Sequence, residues 1–278
     1  MGTLFVVATP IGNLGDLSGR ARTTLIDCPL VVAEDTRRTG KLTSMIGSPA
    51  RLISLNEHNL SRRIEPILAE LAAGDVALVS DAGTPAISDP GFQLIDAALT
   101  AGFTVRTVPG PSAVTAALSV SGLPATPFYF GGFAPRTQGE LRRWFGDWLD
   151  REITIVFFES PNRIDKTMAI LHDVRPDTTV VVCRELSKLH EQIVRGSPAL
   201  VSEMIARNEI PTRGEFVLVM RASGKRPTID PEVLLRQLIA DGTSPNEAAK
   251  RAAAETGRPK SEFYAQAVTL SKTRSQGD

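Results

Sequence analysis

Four short loops rich in glycine, proline and single polar residues are the segments of this sequence best suited to chemistry. They span residues 9–16, 81–91, 108–113 and 158–163. Small residues let backbone atoms approach a flat polar ligand, and Asp81 offers a carboxylate for an ammonium or a hydroxyl. Free N–H groups and the Ser112 hydroxyl at a helix start suit a carboxylate. Each loop alone is more typical of a tight turn, but four together predict a ligand site.

Familiar nucleotide-binding and hydrolase motifs are incomplete in the sequence. Glu34 and Asp35 stand where a Rossmann fold carries its ribose-binding acid, but loop 9–16 lacks the GxGxxG glycines. The segment Thr39-Gly-Lys41 lacks the upstream glycine and the following hydroxyl of a P-loop. The segment Gly110-Pro-Ser112 does not form a GxSxG nucleophile elbow. None of these motifs predicts the chemistry by itself.

Short apolar runs alternate with helical patterns over the first 110 residues. Such alternation, with strands that are apolar throughout, predicts a mainly parallel sheet covered by helices on both faces. Ligands bind such sheets beyond the carboxyl ends of the strands, where three of the four loops fall. Asp89 followed by Pro90 predicts the start of a helix. The predicted strands are 4–8, 30–33, 51–55, 76–79 and 104–108; the predicted helices are 18–27, 37–46, 59–73 and 89–101.

A second α/β unit is predicted from about residue 121, after a hinge rich in proline and small residues at 122–127. A small, polar segment at 222–227 predicts a linker to a helical tail. The predicted domains are therefore 1–120, 121–222 and 223–278. The second unit's strands are predicted at 128–130, 153–158, 179–183, 192–195 and 215–220, and its helices at 139–150, 162–173 and 198–207.

The tail predicts three helices, at 230–239, 244–257 and 261–268. The last two are separated by a Gly-Arg-Pro turn, which resembles a helix-turn-helix element. A small packing cap explains the same pattern equally well, because short paired helices are common.

Composition bounds the class of protein. An apolar fraction of 42% and a charged fraction of 22% are typical of a soluble globular chain, and no apolar run is long enough to span a bilayer. The net charge is +0, so the overall charge does not indicate a nucleic-acid partner. A local basic patch would still be sufficient to bind phosphates. Two distant cysteines and three scattered histidines predict neither a disulfide framework nor a metal site. We expect a cytoplasmic protein.

A set of six motifs resembles the tetrapyrrole methylase superfamily. They are TPIGNLGD, AEDTR, SDAGTPAISDPG, VPGPSA, FYFGGF and FFESPNR. The likeness is closest to the members that methylate the 2′-hydroxyl of a cytidine in 16S ribosomal RNA of the small ribosomal subunit. Porphyrin methylases typically carry a GDP-type turn where this chain has Asp81-Ala-Gly83, which counts against a porphyrin substrate.

The resemblance implies a two-domain fold with S-adenosylmethionine folded into the cleft between the domains, usually in a homodimer, plus the helical tail. It also implies cofactor-binding positions in both domains. Those in the first domain are Pro10, Asp81, Ala82, Gly83, Ala86, Ile87, Ser112 and Ala113; those in the second are Phe158, Leu186 and the stretch 215–217, with Phe216 at its centre.

Methyl transfer to a ribose hydroxyl requires alignment, exclusion of water and a base for the hydroxyl proton. Glu34, Asp35, Glu57 and His58 are the candidate bases, and residue types do not choose among them. Glu34 or Asp35 could equally hold a neighbouring arginine in place. The candidate RNA contacts are Asn13, Arg20, Arg37, Arg38, Lys41 and His58, with tail residues 250–251 and 258–260 in support.

Two other functions fit parts of the sequence. A tetrapyrrole C-methyltransferase would need the four loops but not the tail. A non-catalytic RNA-binding assembly factor would need the tail but not four intact cofactor loops. The combination of loops and tail favours the RNA methyltransferase.

Overall fold

The computed structural model describes residues 2–222, 231–256 and 259–274. The chain divides into two compact units, Met1–Ser223 and Gly224–Asp278. Two five-stranded sheets lie in the first unit and helices form the second. This architecture confirms the predicted α/β class with a helical C-terminal region. None of the helices in the described segments is long and apolar enough to cross a membrane.

The first sheet has the order β3-β2-β4-β1-β5, and every pairing in it is parallel. Strands β2 and β4 are buried at every position, as their apolar sequences predict. Helices cover both faces of the sheet. Because all five strands are parallel, the loops that follow them lie at the same edge. The strands are β1 (Thr3–Val7), β2 (Leu30–Ala33), β3 (Arg51–Ser54), β4 (Val76–Val79) and β5 (Thr104–Val108); the helices are α1 (Gly19–Asp27), α2 (Thr36–Ile46), α3 (Leu60–Ala73), α4 (Phe92–Thr100) and α5 (Ala113–Ser121).

The second sheet has the order β6-β7-β10-β8-β9. Only the β6–β7 pairing is parallel among the four pairings of this sheet, and the others are antiparallel. Because β10 runs against β7, the start of β10 lies beside the end of β7. The strands are β6 (Phe128–Phe133), β7 (Thr154–Glu159), β8 (Thr179–Arg184), β9 (Gln192–Gly196) and β10 (Phe216–Arg221); the helices are α6 (Gln138–Leu149), α7 (Ile164–Val174) and α8 (Pro198–Ala206).

Helix α5 joins the two sheets. Its buried residues Val114, Ala117 and Leu118 share a core cluster with Val181 of β8 and Val219 of β10. The helix that completes the first half therefore also covers a face of the second sheet. Because α5 comes directly after the loop that follows β5, this packing brings that loop close to β7 and β10, where the site lies.

The predicted start of helix α4 is wrong. Asp89 does not cap it, because the helix begins at Phe92 and Gly91 occupies the cap position with φ of 135°. Strand β6 also extends beyond the predicted 128–130, as far as Phe133. The extension contains a register shift that residue propensities do not reveal.

The C-terminal unit consists of α9 (Pro231–Ala240), α10 (Pro245–Thr256) and α11 (Lys260–Arg274). Leu235, Ile239, Ala249 and Phe263 are among the buried residues of its small core. Helix α11 is longer than the predicted 261–268. Residues 223–227 of the predicted linker, residue 230 at the predicted start of the first tail helix, and two residues of the Gly-Arg-Pro turn lie outside the described residues. The domain boundaries at 120 and 222 stay predictions.

Candidate active site

A cavity of about 480 Å³ opens between the carboxyl edge of the first sheet and the ends of β6 and β7. Its size falls within the range of small-molecule sites. The first half supplies Ile11, Glu34, Arg38, Asp81, Ala82, Gly83, Thr84, Ile87, Ser88, Asp89, Ser112, Ala113 and Val114; the second half supplies Phe133, Phe158, Glu159, Ser160, Pro161, Gly214, Glu215, Phe216 and Val217.

The loop after β4 is held in place at both its side chains and its backbone. The backbone N–H of Asp35 donates to Asp81 Oδ1 at 3.0 Å, and Arg38 donates to Asp81 Oδ2 at 3.0 Å. Thr9 and Gly83 exchange two backbone hydrogen bonds, of 2.9 and 3.0 Å. Gly83 has φ of 81°, a left-handed conformation that glycine adopts without strain. The loops after β1, β2 and β4 therefore form one preorganised wall.

Three carboxylates, Glu34, Asp81 and Asp89, line this wall. Burial raises the pKa of the Glu34 carboxyl above its ordinary value of 4.5, and the charges of Asp81 and Asp89 raise it further. Burial also raises the pKa of the Asp89 carboxyl, while a hydrogen bond from Ser80 opposes the rise. Such clustering concentrates negative charge and favours a cationic ligand or a proton.

Asp35 is turned to a different task from its neighbour Glu34. Its carboxylate caps helix α2 by accepting the Arg37 N–H at 2.8 Å, and it pairs with the Arg37 guanidinium at 2.6 Å. The bonds from Arg37 lower the pKa of the Asp35 carboxyl to about 2. A carboxylate with so low a pKa is a weak base. Holding Arg37 in place therefore fits Asp35 better than acting as the general base does.

The second half presents an aromatic and apolar wall. Phe158 is half-buried, and its ring makes edge contacts with Phe130 and Phe133 at centroid distances of 5.1 and 5.4 Å. Phe216 and Val217, at the start of β10, are buried beside it. This wall suits the flat apolar face of a ligand.

Glu159 is the buried carboxylate of the second half, with 3% of its surface exposed. It accepts the Ser160 N–H at 2.7 Å and the Thr167 hydroxyl at 2.6 Å. Arg163 lies 3.5 Å away and donates to the carbonyls of Ala134 and Pro135. The Glu159 charge is thus satisfied within the protein, and these hydrogen bonds hold the loop after β7 in place.

Glu215 is tied to a neighbouring loop. Its carboxylate lies 2.9 Å from the Lys188 ammonium, which also pairs with Glu185 at 2.8 Å. Hydrogen bonds from Lys188 lower the pKa of Glu185, together with the N–H of Glu215. The Ser187 hydroxyl of the same loop donates to Asp16 in the loop after β1. Polar contacts as well as the α5 core therefore join the two halves at the cavity.

The structure brings together most residues that the sequence predicted for the cofactor. Asp81, Ala82, Gly83, Ile87, Ser112, Ala113, Phe158 and Phe216 line the cavity, as does Glu34 among the candidate bases. Among the described residues, those that line the cavity do not include Pro10, Ala86 or Leu186. Leu186 packs in the core that α5 shares with the second sheet. Their assignment as cofactor residues stays a prediction.

The predicted RNA contacts are scattered around the first half. Arg38 lines the cavity, Arg37 holds Asp35, and Arg20 donates to the Thr107 carbonyl at 3.4 Å. Lys41 is exposed on α2. The candidate base His58 lies in the turn before α3, where its backbone N–H donates to Asn56 Oδ1.

Sequence reasoning missed several cavity residues, notably Asp89, Phe133 and Glu159. Asp89 followed by Pro90 predicts a helix cap, and Glu159 lies in the predicted ligand loop 158–163 without being a predicted site residue. Phe133 ends the FYFGGF motif, but the motif does not predict that this ring lines the cavity, because its position depends on the irregularity in β6. In the described part of the chain, no group of three or more His, Cys, Asp or Glu residues is arranged to hold a metal ion.

Residues 3–200 match the family model of Tetrapyrrole (Corrin/Porphyrin) Methylases. The chain is 41% identical over 267 residues to ribosomal RNA small subunit methyltransferase I of Xylella fastidiosa (strain Temecula1 / ATCC 700964), which covers 95% of this chain and 98% of that protein. The protein of that name from Thermotoga maritima is 45% identical over 228 residues, covering 81% of this chain and 100% of that protein. The solved structure of a diphthine synthase shares the fold with a TM-score of 0.64 at 15% identity, over 81% of this chain and 92% of that one.

Proposed function

Because the chain belongs to the tetrapyrrole methylase family and, within it, to the ribosomal RNA small subunit methyltransferase I family, we propose that it methylates the 2′-hydroxyl of a cytidine in 16S ribosomal RNA. The methyl donor in this proposal is S-adenosylmethionine. The observation that carries it is the cavity in which a carboxylate wall faces an aromatic wall. Neither a tetrapyrrole substrate nor a non-catalytic role is favoured by these relatives.

The cavity residues fit a donor that carries both a sulfonium and an ammonium charge. Glu34, Asp81 and Asp89 supply negative charge, and the loop 81–83 exposes backbone groups beside it. Phe158, together with Val217 on the same face of the sheet, offers the apolar surface that an adenine requires. When bound, S-adenosylmethionine supplies an electrophilic methyl group and leaves as a neutral thioether.

Glu34 is the residue we assign as general base. It lines the cavity, and its raised pKa means that it holds a proton more tightly than an ordinary glutamate. The 2′-hydroxyl proton passes to the Glu34 carboxylate as the new O–CH₃ bond forms and the S–CH₃ bond breaks. Asp35 is committed to Arg37, and Asp81 to Arg38 and the loop backbone. His58 and Glu57 stay secondary candidates.

The same proposal includes a homodimer, as the family resemblance implies, and a location in the cytoplasm, where small ribosomal subunits are assembled. Arg20, Arg37, Arg38 and Lys41 are proposed to approach RNA phosphates around the cavity mouth. The small subunit and its 16S RNA are the proposed partners.

Cofactor binding and methyl transfer test the proposal separately. Calorimetry is expected to show S-adenosylmethionine binding to the intact protein. Tritium from labelled cofactor is expected in small subunits or 16S RNA, with a tetrapyrrole as the comparison substrate. Absence of cofactor binding, or label found only in the tetrapyrrole, would refute the proposal.

A further inference from the structure

Phe133 stands at the rim of the cavity with 65% of its surface exposed to solvent. The other two aromatic residues that line this cavity, Phe158 and Phe216, are half-buried and buried. A single exposed apolar ring is normal on a protein surface, but this ring lines a cavity whose other described aromatic residues are less exposed. The position of Phe133 therefore requires an explanation that the carboxylate chemistry does not provide.

An irregularity in β6 places the ring at this rim. Phe130 is paired with Val156, but Phe133 is paired with Phe158, so β6 carries one extra residue between these pairs. Gly132 has φ of 63° within the bulge. Bulges near active sites commonly redirect one side chain. Here the redirected side chain is Phe133.

The bulge is supported on both sides. A Cβ at Gly131 would lie 2.5 Å from the Trp144 ring, so this side chain packs directly on the backbone. A Cβ at Gly132 would lie 3.3 Å from the Ser88 hydroxyl, which belongs to the opposite wall. The ring itself meets Phe158 at 64° and 5.4 Å between centroids. These contacts hold Phe133 in place while most of its surface stays open.

We propose that Phe133 is the platform on which the base of the target nucleotide stacks. This inference rests on the proposed function, because the target nucleotide must enter the cavity for its ribose hydroxyl to reach Glu34. Proteins that take up unstacked bases commonly place them on exposed aromatic rings. Ile87, 46% exposed on the facing wall, provides an apolar surface opposite the ring.

The test compares Phe133→Ala, Phe133→Trp and Phe92→Ala in the full-length protein. Phe92 is the matched control, because it is 62% exposed but does not line the cavity in the described structure. Phe133→Ala is expected to raise KM for 16S RNA about 5- to 150-fold, the range for losing one base–aromatic stack. Cofactor affinity measured by calorimetry should stay at the wild-type value. Phe133→Trp should restore KM, and its fluorescence should change when RNA is added.

Several outcomes would overturn the platform. An unchanged KM in Phe133→Ala would show that no base stacks there. A matching loss of cofactor affinity would make the ring part of the cofactor wall. A change of oligomeric state by light scattering would mean that a second copy of the chain covers it. A wild-type protein that methylates no RNA would instead refute the proposed function, and the platform with it.

Discussion

The two walls of the cavity come from sheets of different construction, and they differ in chemistry. The parallel sheet places Glu34, Asp81 and Asp89 at a single edge, where their like charges repel one another. The mixed sheet delivers aromatic rings and a carboxylate, Glu159, whose charge is satisfied internally. We propose that the first wall carries out proton transfer and charge recognition. We propose that the second wall provides rigid surfaces for stacking.

The largest effect is expected from Glu34→Gln, which keeps the side-chain shape but removes the base. The rate constant kcat for RNA methylation should fall about 10²- to 10⁴-fold. Glu65→Gln, on the exposed surface of α3, is the matched control and should keep wild-type kcat. Single-turnover assays measure the chemical step directly. A loss below about threefold would remove Glu34 from the base role and break the contrast between the walls.

The pH dependence sharpens the same assignment. The base acts when deprotonated, so activity should be lost as pH falls through the pKa of Glu34. Burial and the neighbouring carboxylates raise that pKa above 4.5, so the acidic limb of kcat/KM should lie above the ordinary glutamate value. That limb should vanish in Glu34→Gln. A limb at or below the ordinary value would contradict the electrostatic account.

Asp81→Ala should affect binding rather than the chemical step. It removes the acceptor for the Asp35 N–H and the Arg38 guanidinium, so the loop over the cavity loses its anchor. Hydrogen bonds to charged groups contribute about 1.5–3 kcal/mol, so cofactor affinity should fall about 10- to 150-fold. Calorimetry measures it, with exposed Asp96→Ala on α4 as control. Wild-type affinity in Asp81→Ala would show that the loop is held by its backbone alone.

Glu159→Ala should act on stability. The change leaves the buried Thr167 hydroxyl and the Ser160 N–H without their acceptor, which should lower the free energy of unfolding by about 1–3 kcal/mol. Urea denaturation measures the loss. Glu34→Gln should show no such loss, because the raised pKa means that the ionised Glu34 already costs the fold energy. Equal destabilisation of both variants would erase the distinction between the walls.

The smallest effect is expected from the tail. Lys250 and Arg251 are exposed on α10, and reversing both charges should raise KM for 16S RNA about 2- to 10-fold through lost phosphate contacts. Removal of the compact unit Gly224–Asp278 should leave cofactor affinity unchanged. Assays at two salt concentrations separate electrostatic from structural causes. Unchanged KM in both variants would make the tail a packing element.

The first sheet was predictable because local pattern and fold agree there. Continuous apolar strands predicted β2 and β4, and the parallel arrangement brought Glu34, Asp81 and Ser112 to one edge. Asp89 was misinterpreted because an Asp-Pro pair has the chemistry of a helix cap, whereas Gly91 sets the actual start. The ion pair between Arg38 and Asp81 joins residues 43 positions apart, so no local pattern encodes it.

Phe133 shows most clearly which features of the site could not be predicted from the sequence. Its exposure depends on the extra residue in β6 and on the packing of Trp144 against Gly131. Both are tertiary effects that a propensity or a period does not carry. Polar loops at strand ends were visible in the sequence, and the resemblance implied Phe158 and Phe216 opposite them, but the place of Phe133 at the cavity required the structure.

Nucleoside mass spectrometry of 16S RNA treated with the wild-type protein and S-adenosylmethionine tests the central claim most directly. The account predicts a methyl group on the ribose 2′-oxygen of a cytidine, formed by the wild-type protein and nearly absent with Glu34→Gln. A methyl group on a base, or methylation confined to a tetrapyrrole, would contradict it.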